Sequence, residues 1–189
     1  MDMQKLDRER IAAIYEQYMT EDFPPDELKP LEMILRSEAA GTYVAYGFYT
    51  ENNLVAYAYL CGTAGKPELP VLLDYLAVVK EHRSEGYGSA VLAMLKDELP
   101  QGMMIEAESV ATAEDEEETH TRQRRIAFYE RNGSVRQNFE TTLFGVRYTI
   151  FLLGGAEDAN VRRDMETVYR GMVEPHFRLE DVLTFHDDI

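Results

Sequence analysis

The sequence is short of cysteine, of long apolar runs and of positive charge. One cysteine, Cys61, stands among 189 residues. No disulfide can form within the chain, which suits a reducing compartment. As a nucleophile Cys61 would want a base beside it, but no histidine lies near in sequence. A small buried apolar residue is the plainer reading. No stretch reaches the ~18 consecutive apolar residues of a membrane span. The start, MDMQKLDRER, is charged and lacks the apolar core of a signal peptide. A cytoplasmic protein, not bound to membrane, is expected. Lysine and arginine number 19 against 35 aspartates and glutamates, a formal net charge of −16. Such a chain is not expected to bind nucleic acid, because phosphate backbones are held by a basic surface. An anionic small molecule can still bind where one loop gathers positive potential, and the long-range field favours a cationic co-substrate. His82, His120, His176 and His186 show no metal-ligand spacing, and no metal is expected.

What is present reads as alternating helices and strands. Ile11, Ile14, Tyr15 and Tyr18 lie on one face of a helix over 7–19, which FPPDEL breaks. A second helix is expected over 26–40, up to Gly41. TYVAYGFYTENNLVAYAYL is two β-rich runs around ENN, a hairpin signal. The continuous apolar run VLLDYLAVV (71–79) predicts a central strand buried on both faces. A helix over 86–99 follows, then a strand over 103–110, an acidic loop (AEDEEE) and a helix over about 119–131 closed by Asn132-Gly133. Strands are expected at 135–143 and 146–153. One more helix near 158–173 carries Val161, Met165, Val168 and Met172 on one side, to cover the sheet or to mediate a dimer. Monomer and homodimer both stay open. The strand–helix–strand unit 71–110 implies a parallel pair with a right-handed crossover, and the hairpins make the sheet mixed.

Between the strand at 71–79 and the helix at 86–99 lies RSEGYGSA, where Gly86 and Gly88 stand at a helix start. A dinucleotide fingerprint needs a third glycine, and that position is Val91. A P-loop needs Gly-Lys-Ser/Thr, which is absent. A pyrophosphate cradle fits. About four amides at a helix start lack intrahelical partners, and the helix dipole adds positive potential. Glycines let phosphate approach the backbone. Arg83 adds charge, and Lys80 and His82 raise the local potential. Against this stands a glycine-rich helix start without a ligand.

LAVVKEHRSEGYGSAVL resembles the acetyl-CoA motif of the GNAT superfamily of N-acyltransferases, and RRIAFYERNG (124–133) resembles that family's second motif. Their order and separation also match, over roughly residues 20–153. The sequence departs from the pattern at Lys80, at Ser134, where an aromatic is usual, and at Arg122, where an asparagine near the cofactor is usual. The resemblance implies a GNAT-like α/β fold: a mixed, mostly antiparallel sheet of about 6–7 strands with a splayed parallel pair, flanked by helices. The strand before the family's first helix has no clear counterpart here. The domain would cover 1–153, with 154–189 a helical extension packed on it or on a partner subunit. The resemblance further implies acetyl-CoA as co-substrate. The strand end Leu76, Ala77 and Val78 would bind the pantetheine arm, splayed by a bulge near Leu76. The loop with Arg83, Ser84, Gly86, Tyr87, Gly88 and Ser89 would hold the pyrophosphate.

Direct transfer requires a neutral amine, an oxyanion donor and an acid for the departing thiolate. Tyr129 matches the family's acid position; its alternative is a core aromatic. Asp74 interrupts an apolar strand, where a carboxylate is costly unless paired or facing a cleft. It is a candidate base or one half of a salt bridge. Glu106 and Glu108 share one face of the next strand. They are candidates to relay a proton through water (Glu106) or to hold a cationic amine (Glu108), and the alternative is a polar sheet end. Tyr43, Tyr46, Tyr57, Tyr59 and Tyr75 read as core or cleft wall. The expected function is N-acetyl transfer to a small, cationic primary amine. A non-catalytic acyl-CoA-binding domain and a protein N-acetyltransferase are the alternatives.

Overall fold

The structure, a computed structural model, describes residues 1–25, 27–156, 160–173 and 177–187. The elements run β1 (Asp2–Lys5), α1 (Arg8–Ile14), a π-helical turn (Tyr15–Met19), α2 (Thr20–Asp22), α3 (Leu31–Ala39), β2 (Tyr43–Thr50), β3 (Asn53–Cys61), β4 (Val71–Val78), α4 (Tyr87–Glu98), β5 (Met103–Glu108), α5 (Glu116–Arg131), β6 (Val135–Leu143), β7 (Val146–Leu153), α6 (Val161–Val173), α7 (Leu179–Val182) and β8 (Leu183–His186). The strand order is β1-β2-β3-β4-β5-β7-β6-β8, mostly antiparallel with β4 and β5 the parallel pair. The expected fold class stands, with eight strands in place of six or seven.

The two added strands lie at the sheet edges. β1 pairs with β2 from Asp2 opposite Tyr49 to Lys5 opposite Tyr46. This corrects the expectation that the first helix has no clear strand before it. An edge strand with three of four residues exposed carries no apolar alternation to reveal it. β8 pairs with β6, Thr141 opposite Phe185. Two helix boundaries also move. α5 begins at Glu116, because the Asp115 carboxylate accepts from the Glu118 amide at 2.8 Å, an N-cap. Three glutamates then fill the first turn, where the helix dipole favours them. Half of the stretch expected as an acidic loop, Glu116 to Glu118, is helix. α3 begins at Leu31 rather than near 26. The Lys29 amide donates to the Tyr75 hydroxyl, which donates to the Glu27 carbonyl, so this segment serves Tyr75 instead of a helical ladder. Asp26, the first residue of the expected helix, lies outside the described residues, as do residues 158 and 159 of the tail helix, and His176.

The chain divides into two units. Unit 1 is 1–66 with 73–95, and unit 2 is 67–72 with 96–189. In unit 1, β2 and β3 form a hairpin whose two turn residues, Glu51 and Asn52, both have positive φ (51° and 67°), the two-residue turn that matches strand twist. Its core includes Ile11, Met19, Ile34, Phe48, Tyr57 and Tyr59, all buried. In unit 2, β5, β7 and β6 pair antiparallel. α6 buries Val161, Met165, Val168 and Tyr169, while Met172 is half-buried. α5 ends in a paired turn: the Gly133 amide donates to the Glu130 carbonyl at 3.0 Å and the Ser134 amide to the Tyr129 carbonyl at 3.1 Å. Gly133 has φ +82°, which only glycine adopts without strain.

Candidate functional site

In unit 1, burial falls along β4. Leu73 and Tyr75 are buried, whereas Leu76, Ala77 and Val78 are half-buried. Beyond the strand the chain makes a 3₁₀ turn (Lys80–His82) and turns into α4 through two left-handed residues, Ser84 (φ 69°) and Gly86 (φ 86°). At Gly86 the conformation requires glycine, and nothing lies within 4 Å of where a Cβ would stand. The loop presents open backbone at the start of a twelve-residue helix, with Gly88 and Ser89 in its first turn.

Arg83 is committed within the unit. Its Nε donates to the Val78 carbonyl at 3.1 Å, and an Nη donates to Asp22 at 2.5 Å. Asp22 also accepts from the Tyr57 hydroxyl at 2.7 Å. Arg83 therefore ties the end of β4 to α2, so its contribution to the loop is structural as well as electrostatic. His82 faces Glu85 at 3.5 Å, which offsets the positive potential it would lend.

Asp74 has partners on both oxygens. The Lys29 ammonium donates to Oδ1 and the Tyr43 hydroxyl to Oδ2. The carboxylate side chain is 10% exposed. Lys29 Nζ also stands 5.5 Å above the Tyr75 ring. Burial alone would lower the Lys29 pKa, but the Asp74 carboxylate raises it above the ordinary value. Burial and Asp74 together push the Tyr43 phenol well up. Burial pushes Tyr75 up to about 12 and the Cys61 thiol up to about 12, so Cys61 is a poor nucleophile.

In unit 2, Tyr129 sits near the end of α5, 8% exposed, with its ring 5.9 Å from that of Phe151. Burial raises its phenol above the ordinary value, so it stays protonated at neutral pH. Among the described residues its hydroxyl makes no hydrogen bond. A held ring with an uncommitted O–H is what a proton donor requires. Glu106 accepts from the Tyr169 hydroxyl of α6. Glu108 is shared between Arg122 (3.0 Å) and Arg125 (3.2 Å). Although the two glutamates share a strand face, their partners differ.

Arg122 is buried against the Ser109 carbonyl at 2.6 Å, Thr112 at 2.9 Å and Glu118 at 2.6 Å. It locks the segment between β5 and α5. Ser134 is buried and its hydroxyl has no partner. Sequence reasoning missed Lys29, which stands in a loop without periodicity, and Tyr43 as its co-partner on Asp74. It also missed Glu140, a strand carboxylate like Asp74, which the same test of a charge in an apolar strand would have flagged. Among the described residues no cluster of three or more potential metal ligands occurs.

The acetyltransferase (GNAT) domain family matches residues 32–133. The fold is similar to that of a GNAT-family protein from Bacteroides thetaiotaomicron, at TM-score 0.73 and 16% identity, covering 94% of this chain and 100% of that one. The Escherichia coli ribosomal-protein-S18-alanine N-acetyltransferase is similar at TM-score 0.59 and 17% identity, over 84% and 96% of the two chains. The Salmonella typhimurium protein yncA, solved with acetyl-CoA, is similar at TM-score 0.57 and 18% identity, over 84% and 96%. No curated protein matches the sequence.

Proposed function

Since this chain belongs to the GNAT family and is an acetyl-CoA-dependent acetyltransferase, we propose that it moves the acetyl group directly to the primary amine of a small molecule. The catalytic domain is 1–153, and 154–189 is an extension to it. The observation that carries the reading is the buried Tyr129 ring with its unbonded hydroxyl at the family's acid position. The open backbone at Gly86 supports it.

In unit 1, the amides of Ser84, Gly86, Tyr87 and Gly88 hold the pyrophosphate with the Ser89 side chain beside them, the Ser89 amide being taken by the Gly86 carbonyl at 3.1 Å, and the backbone of Leu76, Ala77 and Val78 holds the pantetheine arm. Arg83 fixes the Val78 carbonyl and adds charge. In unit 2, Tyr129 donates its proton to the departing thiolate. The amine nitrogen attacks the thioester carbonyl, the C–N bond forms, the C–S bond breaks, the sulfur leaves with the phenol proton, and the surplus proton on nitrogen passes through water to the phenolate of Tyr129. The amine must first lose a proton. Glu106, which accepts from the Tyr169 hydroxyl, takes it through water. Asp74 is neutralised by Lys29 and serves to position the 27–29 segment. Glu108 is engaged by two guanidiniums, which favours an acceptor less cationic than the net charge suggests. A cytoplasmic location belongs to the same proposal; among the described residues no helix is long and apolar enough to cross a membrane.

Tyr129→Phe tests the acid. It keeps the ring packing and removes the O–H, so kcat should fall about 100-fold while CoA affinity stays near wild type. Because the phenol is raised, the alkaline limb of wild-type kcat should lie above pH ~10. A kcat within about threefold of wild type, with that limb unmoved, returns Tyr129 to a packing role.

A further inference from the structure

Unit 2 contains a cavity of about 280 Å³ that the transfer reaction, as assigned above, does not use. Its polar wall is Arg136 and Glu140 of β6, Arg147 of β7 and Ser109 after β5. Its apolar wall includes Ala111 and Ile126. Glu140 organises the polar wall. Its side chain is 3% exposed and accepts from Ser109 Oγ at 3.0 Å, Thr149 Oγ1 at 2.8 Å and Arg147 Nε at 2.7 Å. Burial alone would raise this carboxyl, but those hydrogen bonds hold it below its ordinary value, so it is ionised at neutral pH.

The arginines are less committed. Arg147 uses only Nε on Glu140 and is 28% exposed. Arg136 stands 3.5 Å from Glu140 and is 44% exposed. Two guanidiniums against one carboxylate leave the cavity one positive charge in excess. Between positions 122 and 147 the sequence holds six arginines and two glutamates, in a chain whose formal net charge is −16. This stretch runs against the charge of the whole protein.

We infer that this cavity binds a small molecule carrying one carboxylate and an apolar body, with Arg136 and Arg147 on the carboxylate and Ala111 and Ile126 against the body. A single carboxylate balances the excess charge. A phosphate monoester, near −2, would leave a negative excess beside the buried Glu140. The planar fork of an arginine suits a carboxylate. The volume lies just below the usual range for ligand pockets, so the ligand is small. An apolar amino acid meets this description and also carries an amine. The binding inferred here rests on the cavity alone and does not depend on transfer.

Calorimetry and ¹H–¹⁵N NMR on the full chain without acetyl-CoA test it, with 4-methylpentanoate, L-leucine, 3-methylbutylamine and inorganic phosphate as probes. The carboxylate probes should bind saturably and shift the Ala111 amide and the arginine Nε resonances. The amine should not bind, and phosphate should bind more weakly than 4-methylpentanoate. Arg136→Ala removes one charge from a half-exposed side chain and leaves the hydrogen bonds of Ser109, Thr149 and Arg147 to Glu140 in place, so the variant should fold. It should weaken 4-methylpentanoate about tenfold or more. Ala111→Phe fills the cavity from an exposed position and should abolish binding. Absence of saturable binding at millimolar carboxylate overturns the assignment. So does equal affinity for the amine, tighter binding of phosphate, or unchanged affinity in both folded variants.

Discussion

Each unit holds a strand carboxylate that its fold has taken out of water, Asp74 in one and Glu140 in the other, and the two are kept in different ways. In unit 1, Asp74 meets an ammonium and a phenol, Lys29 and Tyr43. In unit 2, Glu140 accepts from two hydroxyls and the edge of one guanidinium, with a second, that of Arg136, at 3.5 Å. Lysine is a flexible point charge, and its partner must hold it by proximity. Arginine offers several directional donors, so one edge can serve the carboxylate while the rest stays available. The first centre is closed by its own partners. The second is lined by a cavity, with donor capacity left over.

Removing one partner from each centre should separate them most. Arg147→Ala removes the short ion pair of a carboxylate that is 3% exposed and leaves it two hydroxyls and Arg136 at 3.5 Å. It should cost about 3 kcal/mol or more, measured by urea unfolding. Lys29→Met leaves Asp74 with Tyr43 and a little water, and should cost about 2 kcal/mol. Equal losses, or a larger one for Lys29→Met, would dissolve the distinction between a closed and an open centre.

Opposite ends of the pH scale should sharpen it. The Glu140 carboxyl is held below its ordinary 4.5. Its stabilisation is therefore complete above that value and fades as pH falls through the lower folded value. The advantage of wild type over Glu140→Gln should be flat at neutral pH and shrink below about pH 4. Lys29 is raised above its ordinary 10.5. Its contribution is complete below that value and fades as pH rises through the higher folded value, so the advantage over Lys29→Met should shrink only in strong alkali. Tyr43 is also raised, mainly by burial, and adds to the same alkaline loss. Thermal denaturation of the three proteins from pH 3 to 11 reads both limbs. A Glu140→Gln difference that stays constant into acid would contradict the assignment.

The smallest effect concerns the hairpin turns. Glu51 in unit 1 and Phe144 in unit 2 both occupy left-handed positions, φ 51° and 48°. Asparagine tolerates that conformation, so Glu51→Asn should stabilise by about 0.5 kcal/mol. Phe144 differs because its ring packs edge-on to Phe177 at 5.3 Å. Phe144→Asn should gain less, since relief of backbone strain is offset by the lost ring contact. A larger gain at Phe144 in calorimetric Tm would assign no value to that contact.

The legible parts of the molecule were those written in short-range pattern. The apolar run at 71–79, the helix after the glycines, the ENN turn, the Asn132-Gly133 stop and the 135–153 strand pair follow from periodicity or from glycine's φ, each decided within about ten residues. The left-handed Gly86 before α4 and the helix that carries Tyr129 were readable for the same reason, each decided by local backbone. The edge strands β1 and β8 were not, because an edge strand is identified by the neighbour it joins. The α5 start was missed because acidic residues suit both a solvated loop and a helix N-terminus until a cap decides between them.

Sequence by itself determined the order of the main helices and strands between the two edge strands, the glycine at the start of α4, and the helix that carries Tyr129. Tertiary structure alone decided what each ionisable group does. Lys29 and Asp74 are 45 residues apart, Tyr43 and Asp74 31, and Ser109 and Glu140 31. At those separations no local preference relates the members of a pair. A carboxylate in a strand announces only that it needs a partner once buried, since an unpaired buried charge is too costly to keep. Which partner arrives, and whether donor capacity is left for a ligand, depends on strand register and on the loops that folding brings against that strand.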